Sequence, residues 1–190
     1  LRRHKAKKIG FDEGMKASTL EKLGKKLLGR ISYSNLLSQA RLKKSFQEIA
    51  SIKKAVAIVE KTFKKIISEK LVGKREQDLA SLIEFLLREN GAQSSSFDSI
   101  VASQANSSFP HHDSGSKRIA QGALLLDFGA RFNGYCSDFT RTLYAGSPSK
   151  KFLQVYEVVQ EAYYSALDKA APGVKAREVD AAARKVIDEH

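Results

Sequence analysis

Up to Leu87 the hydrophobic positions of this chain recur at helical spacing; beyond it the period shortens, and from Ser149 the helical spacing returns. Leu20, Leu23, Leu27 and Leu28 line one face of a short helix expected to end near Gly29, and Ser18-Thr19-Leu20-Glu21 has capping-box spacing. Residues 31–39 carry no decisive pattern. From about Arg41 a three-and-four spacing runs through Phe46, Ile49, Ile52, Val56, Val59, Phe63, Ile66 and Ile67, until Leu71-Val72-Gly73-Lys74 breaks it. Leu79, Leu82, Ile83, Leu86 and Leu87 define a second helix that stops at Asn90-Gly91. The two helices read as the cover of a sheet. A short strand follows over residues 97–103, then a polar loop over 104–118, then a hairpin that closes at Gly146-Ser147-Pro148. Ser149 stands where it would cap a third long helix, with Val155, Tyr156, Val159, Ala162, Tyr163, Ala166 and Leu167 facing inward. Ala171-Pro172-Gly173 stops that helix, and Val179, Ala182, Ala183, Val186 and Ile187 define a fourth. This order segregates into an α+β fold rather than alternating βαβ units. Three strands are little sheet for four long helices, so the sequence is expected to be a piece of a larger fold.

The hairpin organises the rest. Leu124-Leu125-Leu126-Asp127-Phe128 leads into Asn133-Gly134, a strong two-residue turn signal, and a run rich in aromatic and β-branched residues leads out. In an antiparallel pair, facing residues have numbers with a constant sum. A loop centred on Phe132 and Asn133 gives 265 and sets Asp127 opposite Asp138. A turn at Asn133-Gly134 gives 267 and makes them diagonal neighbours. Either register puts both carboxylates on one face, roughly 5–8 Å apart between Cβ atoms. Carboxylates that close on an apolar sheet resist ionising together, and a divalent cation between them removes the repulsion. The hairpin alone leaves two readings open: half of a metal site, or one turn-capping Asp and one solvated Asp.

Composition narrows the classes. Apolar residues make up 42% of the 190 and charged residues 28%, an ordinary globular balance. No run approaches the length of a membrane-spanning helix. The single cysteine, Cys136, excludes an internal disulfide and fits a reducing compartment, so a cytoplasmic location is expected. The net charge of +12 raises nucleic acid as a partner. However, Lys53, Lys54, Lys61, Lys64, Lys65, Lys70 and Lys74 are spread as on a solvated helix face, and the densest basic run is the terminal stretch 1–8; a nucleic-acid role is disfavoured.

His111 and His112 follow Pro110 in the loop before the strand that carries Asp127. A loop histidine near a carboxylate pair is a candidate ligand or proton donor, although two adjacent side chains cannot easily both point inward. Cys136 reads as a small buried residue and Arg141 as a structural ion pair on the face opposite Asp138. Tyr135, Tyr144, Tyr156, Tyr163 and Tyr164 read as packing.

Together, Ser107-Ser108-Phe109-Pro110-His111-His112, Asp127-Phe128-Gly129-Ala130 and Gly134-Tyr135-Cys136-Ser137-Asp138-Phe139-Thr140-Arg141-Thr142 resemble the signature of the pita-bread metallopeptidases. Within that family the Pro-His pair in an Asn-Ser-rich loop is similar to the Xaa-Pro dipeptidases (prolidases) and aminopeptidase P. Arg41-Leu42-Lys43-Lys44-Ser45 resembles the start of the catalytic domain and Ile9-Gly10-Phe11-Asp12 the tail of the preceding one. The expected division is therefore 1–40 as tail and linker and 41–190 as the N-terminal half of a pita-bread catalytic domain. The resemblance implies two divalent ions (Mn, Co or Zn), with Asp127 binding one and Asp138 bridging both. It also implies His111 assisting catalysis, and hydrolysis of Xaa-Pro bonds in short peptides by a metal-bridging water. The family's other three ligands, a histidine in a Gly-His-Gly segment and two glutamates, have no match here, so the chain by itself is expected to be inactive. Gln104-Ala105 stands where family members commonly carry glycine, which leaves the shape of the loop open. A homodimer is compatible with all of this. The alternative is a metal-free binding module on the same scaffold, acting through its basic surface.

Overall fold

The computed structural model describes residues 8–12, 14–27 and 30–190. The chain divides into two compact units, residues 1–54 and 55–190. In the first, β1 (Ile9–Phe11) and β2 (Ile31–Tyr33) pair in parallel, with Ile9 opposite Ile31, and α1 (Ala17–Leu27) connects them. Parallel neighbours cannot be joined by a tight turn, so a helix makes the crossover. The stretch without a sequence pattern thus supplies a strand and most of α2 (Leu36–Leu42). Helix α1 starts at Ala17, so Ser18 lies inside its first turn and is no cap. Leu28, Gly29 and the basic run through residue 7 lie outside the described residues.

Where the hydrophobic spacing predicts one helix from Arg41, there are two, α2 and α3 (Phe46–Ile67). A reciprocal cap marks the break. The Glu48 amide donates to Ser45 Oγ at 3.3 Å, and the Ser45 amide donates to Glu48 Oε2 at 2.5 Å. This capping box satisfies two amides that a helix start would otherwise leave without a partner.

In the second unit, α3 buries Ala55, Ile58, Val59, Thr62 and Ile66. The buried stripe is rotated from the expected one, for Val56 and Ile67 are exposed. Helix α4 (Glu76–Glu89) buries Leu79, Ile83, Leu86 and Leu87. Next come β3 (Ser94–Ser95), β4 (Ile100–Ser103), a 3-10 turn over Gln104–Ser108, β5 (Gly122–Phe128), β6 (Ala130–Phe132), β7 (Tyr135–Cys136) and β8 (Phe139–Ala145). Helices α5 (Lys150–Lys169) and α6 (Ala176–Asp188) close the order. Strands β4, β5 and β8 form an antiparallel sheet with β5 in the middle, and β3, β6 and β7 form a second. Leu124, Leu126 and Phe128 of β5 pack with Ile58, Val59, Ile66, Leu79, Ile83 and Leu87, so α3 and α4 do cover the sheet. Each such side chain contributes about 2 kcal/mol by leaving water.

The hairpin takes the register of the tight turn. Asp127 faces Thr140, Phe128 faces Phe139 and Phe132 faces Tyr135, each pair summing to 267. Asn133 and Gly134 both have positive φ, 48° and 81°, as a type I′ turn requires. Gly129 and Asp138 lie where the ladder passes from one sheet to the other. A Cβ on Gly129 would collide with Ser96 Oγ and the Ser137 carbonyl oxygen, so the backbones can approach there only at glycine.

Helix α5 departs from expectation. Ser149 does cap it, accepting from the Phe152 amide at 3.1 Å. Yet Val155, Tyr156, Val159, Tyr163 and Leu167 are exposed, and Ala162 is the helix's buried residue. The five exposed side chains, together with residues 140–142 of β8, line an open groove of about 560 Å³.

Candidate metal centre

Asp127 lies one residue from the end of β5. Its neighbours Leu126 and Phe128 point into the core, so alternation turns Asp127 to the other face of the sheet. Its Oδ1 accepts from Thr140 Oγ1 at 2.8 Å, across the ladder. Asp138 directly precedes β8. The 267 register sets it opposite Gly129, which makes it the diagonal neighbour of Asp127 on the same face. Burial pushes the Asp127 carboxyl above its ordinary range. The Asp138 charge pushes the same way, whereas the Thr140 hydroxyl and the His111 imidazole pull it down. The Asp138 influence has the sign that strand parity leads one to expect. Asp127 and Asp138 lie at one end of the β5–β8 ladder, and His111 is exposed in the loop that precedes β5.

The loop that brings His111 there starts at Gln104, whose φ of 53° is the left-handed conformation usually reserved for glycine. Phe109, Pro110 and His111 are exposed, whereas His112 turns inward, its Nε2 2.8 Å from Glu76 Oε2. Of the two adjacent histidines, His112 is committed to Glu76 and His111 is exposed. Glu76 was not found by sequence reasoning. An acidic residue in a helix's first turn is commonplace. The available signal was its spacing, for Glu76 shares the inner stripe of α4 with Leu79, Ala80, Ile83 and Leu87.

Two other expectations change. Cys136 is exposed, opposite Arg131 near the hairpin tip, rather than a buried small residue. The Arg141 guanidinium lies 3.9 Å from the centre of the Phe139 ring and donates to the Thr140 carbonyl at 2.7 Å, a cation–π contact in place of the expected ion pair. Tyr144 packs edge-on against Phe152 at 4.7 Å, as expected of a packing residue.

Two aspartates on one face offer the hard oxygen donors that a divalent cation takes, and a cation would relieve their repulsion. Among the described residues no group of three or more His, Cys, Asp or Glu side chains gathers to hold one ion. The pair fits a cation in chemistry and would be part of a donor set, not the whole.

A twisted antiparallel sheet covered by long helices, with an acidic pair at a strand end, is the pita-bread architecture in part. The chain belongs to metallopeptidase family M24, whose sequence profile matches residues 50–190. It is 41% identical over 157 residues to the Xaa-Pro dipeptidase of Pyrococcus furiosus, covering 82% of this chain and 45% of that protein. It is 37% identical over 187 residues to the Xaa-Pro dipeptidase of Pyrococcus horikoshii, covering 97% and 53%. The structure of the Xaa-Pro dipeptidase from Bacillus anthracis superposes with a TM-score of 0.90 at 36% identity, over 96% of this chain and 52% of that one. The chain spans about half the length of the relatives it matches.

Proposed function

We propose that this chain contributes the acidic pair and the assisting histidine of an Xaa-Pro peptidase. In that reading residues 41–190 are the N-terminal half of the catalytic domain, and residues 1–40 are the end of a preceding domain and its linker. Asp127 and Asp138 would hold two divalent ions (manganese, cobalt or zinc) with ligands from outside this chain. When bound, the ions lower the pKa of a water and polarise the carbonyl. The reaction adds water across the amide before proline: oxygen goes to the carbonyl carbon, and the proline nitrogen takes a proton as the C–N bond breaks.

The chain's own residues have defined tasks. Thr140 holds one Asp127 oxygen, fixing the carboxylate plane and leaving the other oxygen free. His111, exposed in the loop that leads into β5, would donate a hydrogen bond to the oxygen that gains charge as the carbonyl becomes tetrahedral. The observation that carries the reading is the register that sets Asp127 and Asp138 as diagonal neighbours on one face of the β5–β8 ladder. The +12 charge, a solvated helix face in part (Lys65 pairs with Glu89 at 2.7 Å), needs no nucleic-acid partner. A single exposed cysteine is consistent with the cytoplasm as the compartment.

The test uses a full-length protein carrying this segment, loaded with manganese, cobalt or zinc and assayed on dipeptides with proline second. Metal uptake with cleavage is expected. Asp138→Asn should lose metal and nearly all activity, whereas Cys136→Ala should retain both. An Asp138→Asn enzyme of undiminished activity refutes the assignment, and a wild type that binds no metal favours the binding-module alternative.

A further inference from the structure

We propose that Glu76 is a positioning residue for His111: through His112 and Asn106 it fixes which of the two adjacent histidines faces the acidic pair. The catalytic part of this inference rests on the function proposed above; the structural part does not.

Glu76 is fully buried in the first turn of α4. Burial pushes its carboxyl up, yet hydrogen bonds from Ser103, His112 and Asn106 outweigh that and hold it below the ordinary carboxylate range. Oε1 accepts from Ser103 Oγ at 2.7 Å, from the Ser103 amide at 2.8 Å and from Asn106 Nδ2 at 3.0 Å. Oε2 accepts from Asn106 Nδ2 at 3.1 Å and meets His112 Nε2 at 2.8 Å. An ionised carboxylate only accepts, so His112 Nε2 carries the proton. In that tautomer the 3.2 Å approach of Asn106 Nδ2 to the same nitrogen joins two donors and is packing alone.

The partners are distributed in a telling way. Ser103 ends β4, Asn106 sits in the 3-10 turn, and His112 follows His111 directly. One carboxylate therefore ties both feet and the middle of the segment that presents His111. Further along, the Glu76 and Gln77 amides donate to the Lys117 and Gly115 carbonyls, each at 3.0 Å, and Lys117 Nζ donates to the Ser103 carbonyl at 3.0 Å. The start of α4 is thus the anchor for the loop. Between Asn106 and His112 the residues Phe109, Pro110 and His111 are exposed, so the neighbouring His112 is the tie nearest to His111. With His112 committed to Glu76, His111 is the exposed histidine of the two, in the loop that leads into β5 and Asp127. A mere stabilising network would not need a partner at each end of this segment.

Two measurements test the proposal. On this chain, amide exchange of residues 104–112 should quicken at least tenfold in Glu76→Gln while β5 amides stay protected; unchanged exchange overturns the proposal. In the metal-loaded full-length protein, Glu76→Gln should lower kcat about 10- to 100-fold with KM within about twofold and metal content unchanged, the size expected for a misplaced group. His112→Gln, which keeps an amide donor, should recover most of the rate that His112→Leu loses. Equal kcat in both His112 variants and wild type overturns the proposal, and so does a kcat loss that His112→Gln fails to recover. Should Glu76→Gln not fold, the His112 pair carries the test. If wild type shows no peptidase activity, the function fails and the exchange result still decides the positioning.

Discussion

Asp127 carries an electrostatic tension that can be measured without metal. Its carboxyl is raised in the folded chain by burial and by Asp138, so folding favours the protonated form. The associated stability is fully present below the unfolded value, about pH 3.9, and is lost as pH rises through the folded value. Asp127→Asn should therefore raise the thermal midpoint of the metal-free chain near pH 7, and the difference should vanish near pH 3, which scanning calorimetry at both pH values checks. Glu76 has the opposite sign. Its lowered carboxyl contributes stability that is present above the unfolded value, about pH 4.3, and is lost as pH falls through the folded value. Glu76→Ala would leave Ser103, Asn106 and His112 without their acceptor, a cost on the order of 3 kcal/mol in denaturant titrations at pH 7. Gln104 poses a smaller question of backbone. A left-handed non-glycine residue costs about 1 kcal/mol. Its side chain recovers some of that by donating to the Gln121 carbonyl at 3.0 Å. The position takes a glycine-like conformation without glycine, which the sequence left open.

Among the elements, the hairpin depends on Gly129. The obstacles to a Cβ there include the Ser137 carbonyl, a backbone atom that cannot rotate away. Ser137 is itself fixed: its Oγ accepts from the Ala130 amide at 3.0 Å and donates to the Ala55 carbonyl of α3 at 3.2 Å. Gly129→Ala should cost about 3 kcal/mol or more by chemical denaturation, at the upper end of overpacking effects. Ser149→Ala, which removes only the cap of α5, should cost about 1 kcal/mol in the same measurement. The elements also show where pattern reading works. Asn133-Gly134 located the turn because a type I′ turn admits few residues, and parity left two registers, of which the structure takes 267. The Ser45–Glu48 capping box went unread because it interrupts an apolar spacing that looked continuous from Arg41. Strand β2 was invisible because three residues are too few to establish a period.

For the molecule as a whole, the apolar face of α5 is the main departure from a finished core. Val155, Val159 and Tyr163 are each more than half exposed. Large exposed apolar patches bind hydrophobic dyes and promote self-association. This chain should do both in dye fluorescence and sedimentation velocity. Val159→Glu combined with Tyr163→Lys should suppress the dye signal to roughly half or less while leaving the circular dichroism spectrum unchanged.

The sequence by itself determined the α+β order and, in either of two hairpin registers, the shared face of Asp127 and Asp138. These follow from local rules: period, turn chemistry and strand parity act over a few residues. It also displayed motifs enough to resemble the family to which the chain belongs. Only the tertiary structure decided that His112 turns inward to Glu76, that buried Glu76 bonds three residues of their segment, that Cys136 is exposed and that the face of α5 lies open. Each of those depends on what a distant segment presents, and hydrophobic spacing marks a face as apolar without saying what covers it.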